Sequence, residues 1–286
     1  MIQDIAPHKL DNTYRPDAVP KDRDLAFVVR GRELAVRFTD EGVGIPLISD
    51  FYREQVPEYR YLFSLDNKSC FLLLWKMPLP EGINFVPIRS LRKEQLTSKE
   101  LLFAAFTAVQ LASWYQDNRY CGTCGTCTEI DTVERSILCP ACGRAIYPRV
   151  VPAVIVGVIN GDYLLHTKYE RSRGLSFYAL VAGFTEIGET LEETVAREVM
   201  EETGLKVKHI RYYKSQPWGI ADDILSGFYC DVDGDTRIRL DQNELSEGIW
   251  IHRKDITGQP DDASLTNHMM ITFRDGLEPK WNGPID

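Results

Sequence analysis

The chain has 286 residues, 44% of them apolar and 26% charged, a balance that packs a core and excludes an intrinsically disordered chain. Its length exceeds one typical domain, so two or three folded units are expected. A net charge of -9 repels polyanions overall, which argues against broad nonspecific nucleic-acid binding and leaves any phosphate to be recruited locally.

No window approaches the ~18 uncharged apolar residues of a membrane-spanning helix. The opening segment from Met1 to Pro16 has neither a basic nor an apolar leader region, so a cytosolic protein without a membrane span is expected. In chain order, the short runs Leu25 to Val29, Leu34 to Phe38, Tyr61 to Leu65 and Phe71 to Trp75 predict strands of a small sheet-rich domain. Thr97, Ser98, Lys99 and Glu100 have the form of a capping box ahead of the apolar stretch Leu101 to Tyr115, which predicts one helix closing that domain.

Five of the seven cysteines lie between positions 121 and 142, which suits a metal site in a reducing compartment better than a disulfide framework. Cys121 and Cys124, then Cys139 and Cys142, form two C-x2-C pairs with the spacing of a four-thiolate zinc site. Four thiolates leave no open position, so such a zinc is structural. Glycine follows Cys124 and Cys142 as a tight knuckle prefers, whereas Thr128 follows Cys127, so Cys127 is expected to be a spectator. Cys70 and Cys230 read as ordinary buried thiols. Only Arg135, Arg144 and Arg149 are basic nearby, a thin basis for an RNA-binding ribbon.

Val150 to Val158 is almost wholly apolar and β-branched, as a strand buried on both faces requires. Strand-like runs at Tyr163 to His166, Phe177 to Val181, Ile224 to Val232 and Gly248 to His252 accompany a helix over 191–203 and another over Leu265 to Phe273. Strands flanked by helices predict an α/β sandwich with a mixed sheet. The expected organisation is an N-terminal α+β domain at 1–118, a zinc ribbon at 119–148 and a catalytic domain at 149–286.

The predicted helix over 191–203 is bounded by Thr190, which with Glu193 makes a capping box, and by Gly204, where a left-handed residue is wanted. Glu198, Glu201 and Glu202 are spaced i, i+3 and i+4, which places them within roughly 100° of arc. Like charges so placed destabilise a bare helix by about 0.2–0.5 kcal/mol per pair. Leu191, Val195 and Val199 form an apolar stripe beside them, so Glu202 is expected against a packed surface. Magnesium or manganese takes carboxylate oxygens, neutralises a diphosphate and activates water. For three glutamates alone, an ordinary solvated helix face is an equal alternative.

The pattern G-x5-E-x7-R-E-U-x-E-E-x-G-U, with U aliphatic, is filled by Gly183, Glu189, Arg197, Glu198, Val199, Glu201, Glu202, Gly204 and Leu205. It resembles the Nudix box, whose family hydrolyses diphosphate linkages in an α/β/α sandwich. The resemblance implies divalent ions on Glu198, Glu201 and Glu202, a loop held by Arg197 on Glu189, and a further ligand at Glu244, with Glu247 the neighbouring candidate. Which glutamate is the general base stays open.

A ribbon ending in Tyr147-Pro148-Arg149 and running straight into the next strand, together with Ser215-Gln216-Pro217-Trp218, resembles the NADH pyrophosphatase branch. There the second motif continues as PFPxS, the array that marks NADH specificity; here Gly219-Ile220-Ala221-Asp222-Asp223 follows. The resemblance implies a nicotinamide stacked between Phe184 and Tyr147, substrate contacts from Ser215, Gln216 and Trp218, and a homodimer whose sites draw on both subunits. The implied reaction is hydrolysis of NADH or NAD+ to AMP and NMNH or NMN, extending to NAD caps on RNA. Two alternatives stand beside it: a relaxed hydrolase of ADP-ribose or diadenosine compounds, and a non-catalytic sensor of NAD metabolites.

Overall fold

The computed structural model describes residues 1–40, 42–51, 57–93, 98–169 and 177–283. The chain forms two compact units, one of residues 2–150 with 218–222, the other of Met1, 151–217 and 223–286. Among the described residues no helix is long and apolar enough to cross a membrane.

Besides the ribbon, the described residues of the first unit form two small sheets, a short helix Ser90–Lys93 and a long one. Leu10–Asp11, Tyr59–Leu65, Lys68–Leu73 and Leu25–Phe27 lie side by side in that order, while Glu33–Thr39 is flanked by Val29–Arg30, Gly42–Gly44 and Ile83–Pro87. The expected single run from Leu25 is thus split after Phe27, one half entering each sheet. The helix Lys99–Asp117 buries Leu102, Phe106, Val109 and Trp114. Its N-cap position is Ser98, whose side chain makes no capping bond; Thr97, part of the expected box, lies outside the described residues. The ribbon is the three-stranded sheet Glu129–Ile130, Ile137–Leu138 and Ala145–Ile146.

In the second unit, the central strand Val151–Asn160 runs parallel to Asp223–Val232 and antiparallel to Tyr163–Tyr169 and Val181–Phe184, which makes the sheet mixed. Val207–Trp218 and Leu245–His252 are its edges. Strand periodicity explains the sandwich. Val154, Val156 and Val158 share one face with Val195 and Val199 of the helix Leu191–Thr203. Ile155 and Ile159 point the other way, onto Leu265, Met269 and Phe273 of the helix Leu265–Arg274. The fold is therefore the expected α/β/α layering.

Two strands depart from expectation. The strand predicted over Phe177 to Val181 is displaced to Val181–Phe184, with Ala179 left in an isolated bridge to Thr167. Val207–Trp218 was not anticipated, because its alternation is interrupted: His209 and Arg211 pair with Asp231 of the neighbouring strand, and His209 has φ 53°.

Candidate active site

The glutamate helix is fixed at both ends by local chemistry. Thr190 Oγ1 accepts from the Glu193 backbone N–H at 3.2 Å, and Glu193 Oε2 accepts from the Thr190 N–H at 2.8 Å. Gly204 closes the helix with φ 68°, a conformation that costs a residue bearing Cβ. Val195 and Val199 are fully buried, so the rotation of the helix about its axis is set, and with it the direction of the carboxylates.

The three glutamates then occupy different environments. Glu202 is 2% exposed, as expected of the residue nearest the apolar stripe, while the side chain of Glu201 is 61% exposed. Glu198 lies against the strand Val181–Phe184: a Cβ on Gly183 would fall 1.9 Å from its Cδ. Only glycine leaves room for that carboxylate. Burial pushes the Glu198 carboxyl above the ordinary glutamate range; Arg197 opposes this, and the charges of Glu201 and Glu244 add to it.

Glu244 reaches this field through a loop bonded to the helix end. The Asp241 N–H donates to Glu202 O at 3.1 Å, and the Glu244 N–H donates to Asp241 O at 3.2 Å. Glu247, the neighbouring candidate, is engaged elsewhere, since its Oε1 accepts from the Tyr178 hydroxyl at 3.0 Å.

Arg197 organises the loop before the helix. Its Nε and Nη2 grip Glu189 at 2.6 and 2.9 Å, and Nη2 also donates to Phe184 O at 2.9 Å. This bidentate bond, joined by the Glu186 N–H and the Thr194 hydroxyl, holds the Glu189 carboxyl at about 2. Nη1 turns the other way, to Glu198 at 2.7 Å and Glu201 at 3.0 Å. Two carboxylates of the helix are thus bridged by one guanidinium, a contact that the sequence alone does not announce.

The ribbon thiols converge more tightly. Cys121, Cys124, Cys139 and Cys142 have sulfurs all within 4.8 Å of one another. Each knuckle is built by its backbone: the Gly125 N–H donates to Cys121 O at 2.8 Å and the Gly143 N–H to Cys139 O at 2.9 Å. Both glycines have φ 73°, the turn that their position after a cysteine predicted. Cys127 is exposed and lies outside the cluster. Cys70 and Cys230 are buried. Four thiol donors at this separation fit the tetrahedral coordination of a structural zinc.

The expected substrate residues divide into two groups. Phe184 is 52% exposed and Tyr147 58% exposed, so neither ring is spent in a core; the Tyr147 hydroxyl donates to Glu134 at 2.7 Å. The partly buried Ser215 precedes Gln216 on the strand Val207–Trp218. Gln216 corrects the expectation of a ligand contact, because it is fully buried. Its Oε1 accepts from the Leu265 N–H at 2.6 Å and its Nε2 donates to Ala263 O at 2.8 Å, which ties down the start of the last helix. Trp218 belongs to the first unit, edge-on to Phe106 at 5.6 Å.

An α/β/α sandwich whose capped glutamate helix follows a four-thiol ribbon defines the class of chain. Residues 148–269 match the NUDIX domain and residues 116–147 the NADH pyrophosphatase zinc ribbon domain. The chain thus carries a Nudix domain preceded by a zinc ribbon domain of the NADH pyrophosphatase type. Among curated relatives, the NAD-capped RNA hydrolase NudC of Photorhabdus laumondii is 39% identical over 163 residues, 57% of this chain and 63% of that protein. The protein of the same name from Escherichia coli O157:H7 is also 39% identical, over 57% of this chain and 62% of its own. The matched region thus spans under two thirds of these relatives. A NUDIX hydrolase structure from Nitrosomonas europaea is 21% identical with a TM-score of 0.44, covering 55% of this chain and 90% of that one.

Proposed function

We propose that the chain is a hydrolase, dependent on magnesium or manganese, that splits the diphosphate of NADH or NAD+ into AMP and NMNH or NMN. The observation that carries this reading is the capped helix that presents Glu198, Glu201 and buried Glu202, with Glu244 on the loop bonded to its end, in a chain whose ribbon is of the NADH pyrophosphatase type. Burial raises Glu198, and the charges of Glu201 and Glu244 add to it; a hard cation relieves both, and oxygen donors suit one. Glu198, Glu201, Glu202 and Glu244 are the residues that would hold it. When bound, such an ion neutralises diphosphate charge and lowers the pKa of water.

The chain's own groups do the rest. Arg197, locked to Glu189 and to Phe184 O, holds the loop that presents the Phe184 ring. The exposure of Phe184 and Tyr147 supports stacking of a flat nicotinamide, for which aromatic faces are apt. Ser215 remains a candidate substrate contact, whereas Gln216 is a positioning residue. Zinc on Cys121, Cys124, Cys139 and Cys142 holds the ribbon. The names of the relatives support extending the substrate to NAD-capped RNA, and a homodimer with three-part protomers divided near 118 and 148 completes the reading.

One observation favours a broader dinucleotide hydrolase acting also on ADP-ribose or diadenosine compounds. The segment replacing PFPxS is committed to the first unit as far as Asp222, with Ile220 buried and Asp222 Oδ2 accepting from Arg32 at 3.0 Å. Chromatographic identification of products from NADH, ADP-ribose and diadenosine tetraphosphate, with kcat/KM for each, tests the choice. AMP with NMNH, and a clear preference for NADH, is expected. Equal efficiency on all three would favour the broader reading, and binding without turnover would favour a sensor.

A further inference from the structure

The first unit contains a cavity of about 340 Å³ lined by Arg32, Pro87, Ile88, Arg89, Ile220 and Ala221. That volume is in the range of small-molecule sites, ~300–1,000 Å³. The lining has four apolar residues, two arginines and no carboxylate, in a chain whose net charge is -9. Arg32 is paired with Asp222, so the charge that the cavity offers is that of Arg89, and a cation without a partner among the described residues recruits an anion.

The two arginines have different duties. Arg32 is a clamp, donating from Nη1 to Ile220 O at 3.1 Å and from Nη2 to Asp222 Oδ2 at 3.0 Å. It holds Asp222 at φ 59°, a left-handed conformation that residues with a side chain rarely adopt. The wall is braced again at Gly219, where a Cβ would fall 2.4 Å from Phe106 O. Ile220 and Ala221 are therefore fixed in place before any ligand arrives. Arg89 is exposed, and among the described residues its guanidinium makes no hydrogen bond or ion pair. Close by in sequence, Arg92 covers the ring of Trp218 at 5.2 Å, so the next cation is already placed on an aromatic.

We propose that this cavity is a second ligand site, for a nucleoside monophosphate: the base against Pro87, Ile88, Ile220 and Ala221, the phosphate on Arg89. A planar guanidinium fork matches phosphate oxygens, and apolar walls take a flat ring. The segment that departs from the PFPxS array is the one that builds the wall, so the departure supplies a site in the first unit. The choice of a nucleotide rests on the reaction proposed above, whose product is AMP; the cavity and its charge do not.

Calorimetric titration of AMP into the full-length protein, in buffer free of divalent ions, tests the site without turnover. Saturable binding to the wild type is expected, weakened at least about tenfold by Arg89→Ala, which removes a charge-assisted bond. Ala221→Phe, which fills the cavity, should abolish it. Arg30→Ala, which removes a charge already paired with Glu33, and Glu201→Gln should bind as the wild type does. No binding to the wild type, or retention in Arg89→Ala or Ala221→Phe, overturns the proposal. Loss in Glu201→Gln alone would put the nucleotide at the glutamate helix, which leaves the proposed reaction standing and removes the second site.

Discussion

The cysteine ribbon and the glutamate helix both present metal ligands, and they differ in how far the backbone alone assembles them. In the ribbon, two hydrogen-bonded knuckles bring four sulfurs within 4.8 Å. In the helix, Glu201 projects outward, Glu202 is buried, and Arg197 bridges Glu198 to Glu201; no comparable cluster of carboxylates forms among the described residues. Short side chains on a tight turn can close a tetrahedron, which stabilises a small domain. Carboxylates on a helix form an open half-site, to be completed by an ion and by substrate phosphates. One set serves folding; the other waits for chemistry.

The contrast is broken most directly by activity. Glu201→Gln and Glu202→Gln should each lower kcat/KM on NADH by on the order of a hundredfold or more, with the far-ultraviolet circular dichroism unchanged. Near-normal turnover with magnesium or manganese would remove the helix from the reaction. The ribbon should show the opposite pattern. Elemental analysis should find about one zinc per chain, lost on Cys121→Ser or Cys139→Ser together with a fall in Tm on the order of 10 °C. Cys127→Ser should keep both zinc and Tm; loss of zinc there would mean that Cys127 is a ligand.

A smaller effect is expected in acid. Arg197 depresses the Glu189 carboxyl from 4.5 to about 2, so their pairing contributes stability that is present above pH 4.5 and lost as pH falls towards 2. The slope of Tm against pH in that window should be shallower in Glu189→Gln than in the wild type. Zinc loss from the ribbon is common to both proteins and cancels in the comparison, and identical slopes would show that the pair carries no stability. The smallest effect concerns the ring of Phe184. Stacking beyond buried area is worth about 1 kcal/mol, so Phe184→Ala should lower kcat/KM roughly fivefold more for NADH than for ADP-ribose. Equal losses would leave the ring a structural part of the loop.

What could be read from the sequence was what is decided locally. The helix Leu191–Thr203 has both ends written in Thr190, Glu193 and Gly204, and the cysteine knuckles are written in their glycines. Val151–Asn160 announces itself because both faces are buried. Val207–Trp218 does not, because His209 and Arg211, which pair with Asp231 across the sheet, interrupt its alternation. The register of Val181–Phe184 depends on a long-range fit, Gly183 opposite Val154 and under Glu198, which no local pattern encodes. In the site, the resemblance pointed to Glu244 ahead of Glu247; the bond from Tyr178 to Glu247 depends on a residue some seventy positions away. The bonds from Arg197 to Glu198 and Glu201 depend on rotamers, and the burial of Gln216 depends on a backbone some fifty residues away at Ala263 and Leu265.

The open half-site is tested most directly by manganese binding, followed through the electron paramagnetic resonance of the free ion. The full-length wild type should be compared with the Glu201→Gln, Glu202→Gln double variant, both with the ribbon zinc in place. The predicted result is binding in the wild type that weakens at least about tenfold in the variant, as loss of ligand charge requires. Equal manganese binding by the two proteins would contradict the assignment of the glutamate helix as the metal site.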